Sequence, residues 1–413
     1  MTPLITNDAI VLGILLAILA FVFRTSHSAH PFWRKFYKYV PSLLLCYFIP
    51  SVLNSVGLIS GEDSNLYFVS SRYLLPTSLV LLTLSVDLKE IMKLGRKALI
   101  MFLAGTAGIV IGGPLTVLIF ASFAPDVVGG AGPDAVWRGL VTVAGSWIGG
   151  AANQTAMKEV FGTSDSLFSA MITVDVIVAS LWMAFLLYGA GISKQIDTWL
   201  KGDASAIDHV RQSIEDYRAS IAKIPSLTEV VTVMAVGFGV TAISHLGADS
   251  IAPGIQEHAP YLAKFSLTAK FFWLVVLATT GGLILSFTKA RQLEGVGASR
   301  YGSLLLYVLV ASIGMKMDIM AIFRSPQLFL VGITWMLIHV TVLLLVAKLI
   351  RAPFFFVAVG SQANIGGAAS APIVASAFHP ALAPVGVLLA VLGYALGTYC
   401  AWFTGILMQL VAP

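Results

Sequence analysis

Ile148-Gly149-Gly150-Ala151-Ala152 and Ile365-Gly366-Gly367-Ala368-Ala369 are the same five residues written twice in one chain. Each copy lies in an otherwise apolar segment with Gly-Ser just upstream, Gly145-Ser146 and Gly360-Ser361. Polar amides sit beside both: Asn153 and Gln154 in the first, Gln362 and Asn364 in the second. In lipid an unpaired backbone amide or carbonyl costs several kcal/mol. A glycine-rich interruption at membrane depth therefore persists only where protein or a wet cavity surrounds it. Two interruptions at matching places in two halves are the sequence pointer to a transporter's binding site.

The composition makes lipid the medium. Of 413 residues, 58% are hydrophobic and 11% charged, against roughly 25% charged in an average soluble domain. So few charges cannot cover a soluble surface. The net charge of +5 reads as the Lys/Arg excess of cytoplasmic loops. With no long basic run or interleaved basic-aromatic patch, nucleic acid is not an expected partner. Cys46 and Cys400 lie in apolar stretches without metal-ligand spacing and read as structural thiols. The first residues carry Asp8 and no Lys or Arg, so they do not read as a signal peptide. The first apolar run ends at Arg24, with Arg34, Lys35 and Lys38 beyond, which places the N-terminus outside and this loop in the cytoplasm.

At about 20 apolar residues per crossing, spans fall near 9–24, 38–59, 71–86, 98–123, 139–160, 167–192, 226–246, 266–288, 300–315, 327–350, 353–377 and 382–410. The long polar stretch 193–225, with a surface-helix pattern over 206–222, links a first transmembrane half (1–192, repeat 38–192) to a second (226–413, repeat 266–410). A second echo supports duplication. Ser71-Arg72-Tyr73 and Ser299-Arg300-Tyr301 each open a short apolar helix that precedes a long helix and then the glycine segment. Equivalent spans are six apart in this count, which makes the repeats parallel. The Lys/Arg positions (Lys89, Lys93, Arg96 and Lys97 against Lys289, Arg291 and Arg300) flank opposite ends of the equivalent short helices and favour inversion. One span is miscounted, or the linker hides a half-span.

The glycine segments carry the expected chemistry. Gly149 and Gly150 weaken a helix by about 1 kcal/mol each relative to alanine. A break there frees carbonyls that, with Ser146, Asn153, Gln154 and Thr155, are hard oxygen donors suited to Na⁺; the freed helix N-terminus suits an anion. The second segment offers Ser361, Gln362, Asn364 and Ser370 around Gly366 and Gly367, with Pro372, which lacks an amide hydrogen, marking or stabilising a break. The competing reading is close helix packing through small residues. Asp175 lies inside the apolar run 168–187, where a carboxylate marks an ion or proton pathway unless it caps a broken helix or pairs with a lysine. Glu229 and Lys270 read as near-interface groups and His339 as a satisfied core histidine. Lys158 and Glu159 read as reaching the membrane surface, and Asp87 and Asp318 as solvated helix ends. HExxH, GxSxG and P-loop motifs are absent, so the chain does not read as an enzyme or a nucleotide-driven pump.

On these residues, Gly145-Ser-x-x-Gly-Gly-Ala-Ala-Asn153 and Ser361-Gln-Ala-Asn-Ile-Gly-Gly-Ala-Ala369 above all, the chain resembles domain-of-unknown-function family 819 over nearly its whole length. That family looks related to the bile-acid:sodium symporters and cation–proton antiporters. The resemblance implies an all-α polytopic fold of two inverted five-helix repeats, core plus panel domains with extra helices. Two discontinuous helices holding Gly149-Gly150 and Gly366-Gly367 would cross near the midplane. It also implies Na⁺ bound by amides, hydroxyls and carbonyls beside the crossing, as Asn153, Gln154, Gln362 and Asn364 would allow. The antiporter branch uses an adjacent aspartate pair where this chain has Asp175 alone.

The expected function is secondary active transport. Na⁺ drives symport of a small organic anion or zwitterion, with Na⁺ at Asn153, Gln154, Asp175, Gln362 and Asn364. The solute sits at Ser146, Gly149, Gly150, Thr155, Ser361, Gly366, Gly367 and Ser370. No cofactor beyond the coupling ion is expected. The setting is a bacterial inner membrane, with a homodimer compatible with the sequence. An Na⁺/H⁺ antiporter using Asp175, a channel and a membrane enzyme are the alternatives.

Overall fold

The computed structural model describes residues 3–37, 40, 42–61, 63–87, 91–92, 94–202, 225–316, 326–379 and 382–413. The expected surface helix at 206–222, Lys89, Lys93 and Asp318 lie outside these residues. The described chain is helical, with one isolated bridge between Ile5 and Ile59. Its main helices are α1 (Asp8–Ser26), α2 (Ser42–Ser55), α3 (Leu75–Leu84), α4 (Arg96–Phe123), α5 (Val136–Phe161), α6 (Asp165–Gly191) and α7 (Leu227–His258). There follow α8 (Lys270–Ser286), α9 (Ala298–Gly314), α10 (Gln327–Ile350), α11 (Phe354–Ile365), α12 (Gly367–Phe378) and α13 (Ala383–Val411). A short helix Leu66–Val69 and a π-helical turn Ser70–Leu74 run directly into α3.

Six of these helices are long and apolar enough to cross a membrane, or up to eight if each bent pair counts as one span. The six are α1, α4, α6, α7, α10 and α13; α5, although 26 residues long, is not one of them. The contacts of α5 show why. A straight helix would hold Arg138 and Phe161 about 34 Å apart at 1.5 Å per residue. Instead the Arg138 guanidinium donates to the Phe161 carbonyl, the Trp137 and Phe161 rings meet edge-on at 5.8 Å, and Thr163 donates to the Arg138 carbonyl at 3.2 Å. The chain goes in along 136–149, turns at Gly150, and comes back. The second glycine segment does the same. The Phe378 ring at the end of α12 touches Phe354 at 6.1 Å and Phe355 at 5.3 Å, both at the start of α11.

This corrects two sequence expectations. The glycine segments are not discontinuous helices that cross the bilayer, and 139–160 and 353–377 are not spans. Both are re-entrant helical hairpins, because glycines at the turns let the backbone reverse where a continuous helix would pass through. Their bases lie at opposite ends of the molecule. Asp165, opening α6, pairs with Lys158 at the first hairpin's base, whereas Gly189, near the end of α6, lies against Phe354 at the second's. Between those residues α6 rises about 36 Å.

The helices form two packed groups. α4, α5, α6 and α10 to α13 make one; α1, α2, α3 and α7 to α9 make the other. In the first group α4 and α10 run in opposite directions. Gly105 of α4 faces His339 of α10, Gly112 faces Trp335, and Lys97 donates to the Arg351 carbonyl. The glycines let the backbones approach closely: a Cβ on Gly108 would lie 3.2 Å from the His339 Cα. In the second group α3 and α9 are likewise antiparallel, with Ser78 beside Gly302 and Tyr67, upstream of α3, under Lys316, just past α9. The seam between groups is made by α5 and α13 against α3, α8 and α9. There Thr279 bonds Thr398 at 3.1 Å and Thr280 bonds Tyr399 at 2.7 Å.

The hairpin is directly checkable. In a chain lacking Cys46 and Cys400, cysteines at positions 137 and 161 are expected to be joined by a short bifunctional thiol reagent. A span that crosses would leave them unlinked.

Candidate functional site

The first hairpin's tip is set by one torsion pair. Gly150 has φ 75° and ψ −174°, a region open essentially to glycine alone. Just past the turn, Asn153 pins the tip to α13. Its Nδ2 donates to the Gly149 carbonyl at 3.1 Å and the Tyr394 carbonyl at 3.4 Å, and its Oδ1 accepts from Thr398 at 2.6 Å.

Asp175, on α6 some 15 Å of helix rise from its start, clamps the two arms of this hairpin together. Trp147 on the ingoing arm donates to Oδ1 at 2.7 Å, and Gln154 on the returning arm donates to Oδ2 at 3.0 Å. Ser146 also lies beside the carboxylate. Asp175 is only 5% exposed, yet among the described residues no lysine, arginine or histidine pairs with it. The donors are all neutral dipoles. They orient the carboxylate and satisfy it, but they leave a formal negative charge uncancelled in the interior, where an unpaired charge is expensive.

The second hairpin turns at Gly366 and Gly367, the latter with φ +57°. Gln362 folds across this turn, its Nε2 donating to Ser370 Oγ at 2.6 Å. A Cβ on Gly366 would lie 2.3 Å from that nitrogen, so only glycine admits the amide there. The ingoing arm is held by two closed networks. Asn364 donates to the Phe102 and Gly360 carbonyls, each at 2.9 Å, and accepts from Thr106 at 2.8 Å. Ser361 accepts from Trp182 Nε1 at 2.8 Å and bonds His339 Nε2 at 2.8 Å, while His339 Nδ1 lies 3.0 Å from the Gly105 carbonyl. A carbonyl only accepts, so Nδ1 carries the proton and the Ser361 hydroxyl donates to Nε2. His339 is thereby the satisfied core histidine its sequence context predicts.

The tips converge on the middle of α13. A Cβ on Gly393 would lie 2.5 Å from the Ile148 carbonyl and 3.6 Å from that of Ala363, so this one position touches both hairpins. Next to it the Tyr394 ring stands 3.6 Å from a Cβ placed on Gly150, and its hydroxyl faces the Ala368 backbone. Gly150, Ala151, Gly366, Ala368, Ser370 and Tyr394 are each partly exposed in this otherwise buried region.

At the base of the first hairpin lies a charged cluster. Lys158, 6% exposed, pairs with Asp165 at 2.5 Å and receives support from the Tyr67 hydroxyl at 2.9 Å. Glu159 takes Arg72 at 2.9 Å and accepts from Tyr67. Lys158 and Glu159 thus lie at the hairpin's base, at one end of the molecule, but the segment 66–74 leading into α3 covers them, and they tie the first helix group to the second. Asp87 is likewise paired, with Arg291 at 3.1 Å. Glu159→Gln, which keeps an acceptor for Tyr67 but weakens the Arg72 pair, is expected to lower stability by about 1–2 kcal/mol, read by thermal unfolding. The second hairpin's base is held differently: Asp197 accepts from the Phe354 amide at 2.6 Å, and burial pushes its carboxyl above the usual range.

Of the residues predicted for the site, the fold gathers Ser146, Gln154 and Asp175 in one cluster, and Gln362, Gly366, Gly367 and Ser370 in a second. Gly149 and Gly150 form the first tip. Asn153 and Asn364 sit at the tips, with both ends of each amide already bonded to protein. Thr155 is buried and donates to the Ala151 carbonyl at 3.0 Å; Ser361 lies in the histidine network rather than at the turn. Pro372 lies inside α12, five residues past the turn at Gly367. Glu229 caps α7 through Ser226, and Lys270 pairs with Asp249 at 2.9 Å. Sequence reasoning missed Trp147, Tyr394 and Thr398. Trp147 carried a usable signal, an indole N–H two residues before the glycine pair. Tyr394 and Thr398 carried none, being ordinary residues of an apolar helix.

Comparison with known proteins agrees with this helical membrane architecture. The uncharacterized membrane protein YjcL of Bacillus subtilis (strain 168) is 25% identical over 367 residues, 86% of each chain. The family model described as a protein of unknown function, DUF819, matches residues 13–411. That match runs from inside α1 to the last residue of α13, and the chain belongs to the DUF819 family.

Proposed function

We propose that this protein is a secondary active transporter that couples Na⁺ to the movement of a small organic anion or zwitterion. The observation that carries the reading is the Asp175 carboxylate, buried, uncancelled by any described cation, and bridging both arms of a re-entrant hairpin. A cation beside it removes the cost of the buried charge and simultaneously braces the tip. The Na⁺ position is built from Asp175, Ser146 and Gln154 together with backbone carbonyls of the first tip. Asn153 and Asn364, whose amides are spent on protein partners, hold the two tips in place.

Two inverted repeats, α2–α6 and α8–α13, complete the proposal. Counting each hairpin as no crossing puts five crossings between the start of α2 and the start of α8. That odd number supports inversion and removes the parity conflict of the sequence reading. The opposed directions of α4 and α10 support it too. With the crossings alternating in this way, Arg34, Lys35, Arg96, Lys97, Arg291, Arg300, Lys348 and Arg351 all fall at the end where α1 finishes. That end is the cytoplasmic one by the positive-inside rule, with the N-terminus outside a bacterial plasma membrane. The group bearing both hairpins then moves against α3, α8 and α9, exposing the tips alternately.

In proteoliposomes, uptake of a solute pool is expected to saturate and to require an inward Na⁺ gradient. Gradient-independent, unsaturable flux would overturn the proposal. Quenching of a pH dye on Na⁺ addition, without solute uptake, would replace symport by Na⁺/H⁺ exchange.

A further inference from the structure

Gln362 presents a buried acceptor that nothing among the described residues satisfies. The residue is 2% exposed, and its Nε2 is committed to Ser370, yet its Oε1 has no hydrogen-bond partner among the described residues. A buried amide oxygen left unpaired costs about 1–3 kcal/mol, so its retention points to a partner that the protein does not itself supply.

The surroundings say what kind of partner. The amide lies against the first turns of α12, a twelve-residue helix whose opening N–H groups have no carbonyls of their own turn to bond, the one at Ala368 facing the Tyr394 hydroxyl. Such a terminus attracts an anion through its aligned dipoles. Beside it there is room: a Cβ on Gly367 would meet no atom within 4 Å, and Gly366, Ala368 and Ser370 are partly exposed. Through its bond to Ser370, in the first turn of α12, Gln362 sets an unpaired acceptor beside an anion-binding terminus, the one suited to a hydrogen-bond donor and the other to a carboxylate next to it.

We propose that the second tip binds a small carboxylate carrying a donor, amino or hydroxyl, beside the carboxylate group. The carboxylate sits at the α12 N-terminus and the donor on Gln362 Oε1. This rests on the transporter reading and narrows its solute. It also assigns Gln362 to the solute rather than to Na⁺. An acid without the donor leaves the acceptor unpaired and binds about ten-fold more weakly.

The test is thermal unfolding of the purified full chain in detergent with three pools, each with and without Na⁺. The pools are the common L-amino acids, the corresponding 2-hydroxy acids, and the corresponding carboxylic acids with neither group. Stabilisation by the amino or the hydroxy pool, clearly above the plain acids, is expected, and which of the two prevails identifies the donor. Gln362→Met is expected to erase the difference while keeping the Na⁺ response. Equal stabilisation by all three pools, no stabilisation by any, or an undiminished preference in Gln362→Met overturns the inference. A Na⁺ response that survives such a failure leaves the transporter reading standing; loss of both removes that reading as well.

Discussion

Asp175→Asn is expected to raise the Kd for Na⁺ at least about 100-fold, because withdrawing one partner from a buried ion pair costs about 3–5 kcal/mol. The substitution is nearly isosteric and leaves an oxygen for Trp147. Its effect on the Na⁺-free protein has the opposite sign. A neutral amide removes an uncancelled charge from the interior, so the variant without Na⁺ is expected to be at least as stable as the wild type. Thermal unfolding over a Na⁺ titration reads both quantities. If the variant binds Na⁺ as the wild type does, the ion sits elsewhere. If it is far less stable without Na⁺, Asp175 is a structural clamp and nothing more.

Gly150→Ala separates torsion from space. A Cβ at this position would meet only the Tyr394 ring, at an ordinary 3.6 Å, so there is room for it. What alanine cannot do cheaply is hold φ 75° with ψ −174°; the expected cost is about 1–3 kcal/mol. The turn would relax and pull Trp147 and Gln154 away from opposite oxygens of Asp175. Uptake is therefore expected to fall at least about ten-fold, with a lower unfolding temperature. Gly13→Ala, in α1 with nothing within 4 Å, is the control expected to change neither. Wild-type uptake by Gly150→Ala would mean that the tip torsion plays no part in the cycle.

The repeated pentapeptide was legible because glycine pairs inside apolar runs are physically conspicuous, and the amides beside them marked a polar site. Asp175 was legible for the same reason: a carboxylate in lipid needs a cause. The hairpins were not. Hydropathy records that a segment is apolar, and 139–160 has the same length and apolar character whether it crosses or returns. The decision rests on Gly150's torsions and on contacts such as Arg138 with the Phe161 carbonyl, between residues 23 positions apart. Counting the segment as a crossing produced the parity conflict. Likewise no local pattern showed that the segment 66–74 leading into α3 brings Tyr67 over Lys158 and Arg72 alongside Glu159.

By itself the sequence determined the medium and the two glycine-rich interruptions, because each follows from how apolar side chains and backbone groups partition between water and lipid along a single chain. Only the tertiary structure decided that the interruptions are tips rather than crossings. It alone brought both to Gly393, and set Asp175 between Trp147 and Gln154 with no described cation to balance it. Those outcomes depend on which residues from distant segments come within a few ångströms of one another, and such distances are set by packing, not by local composition.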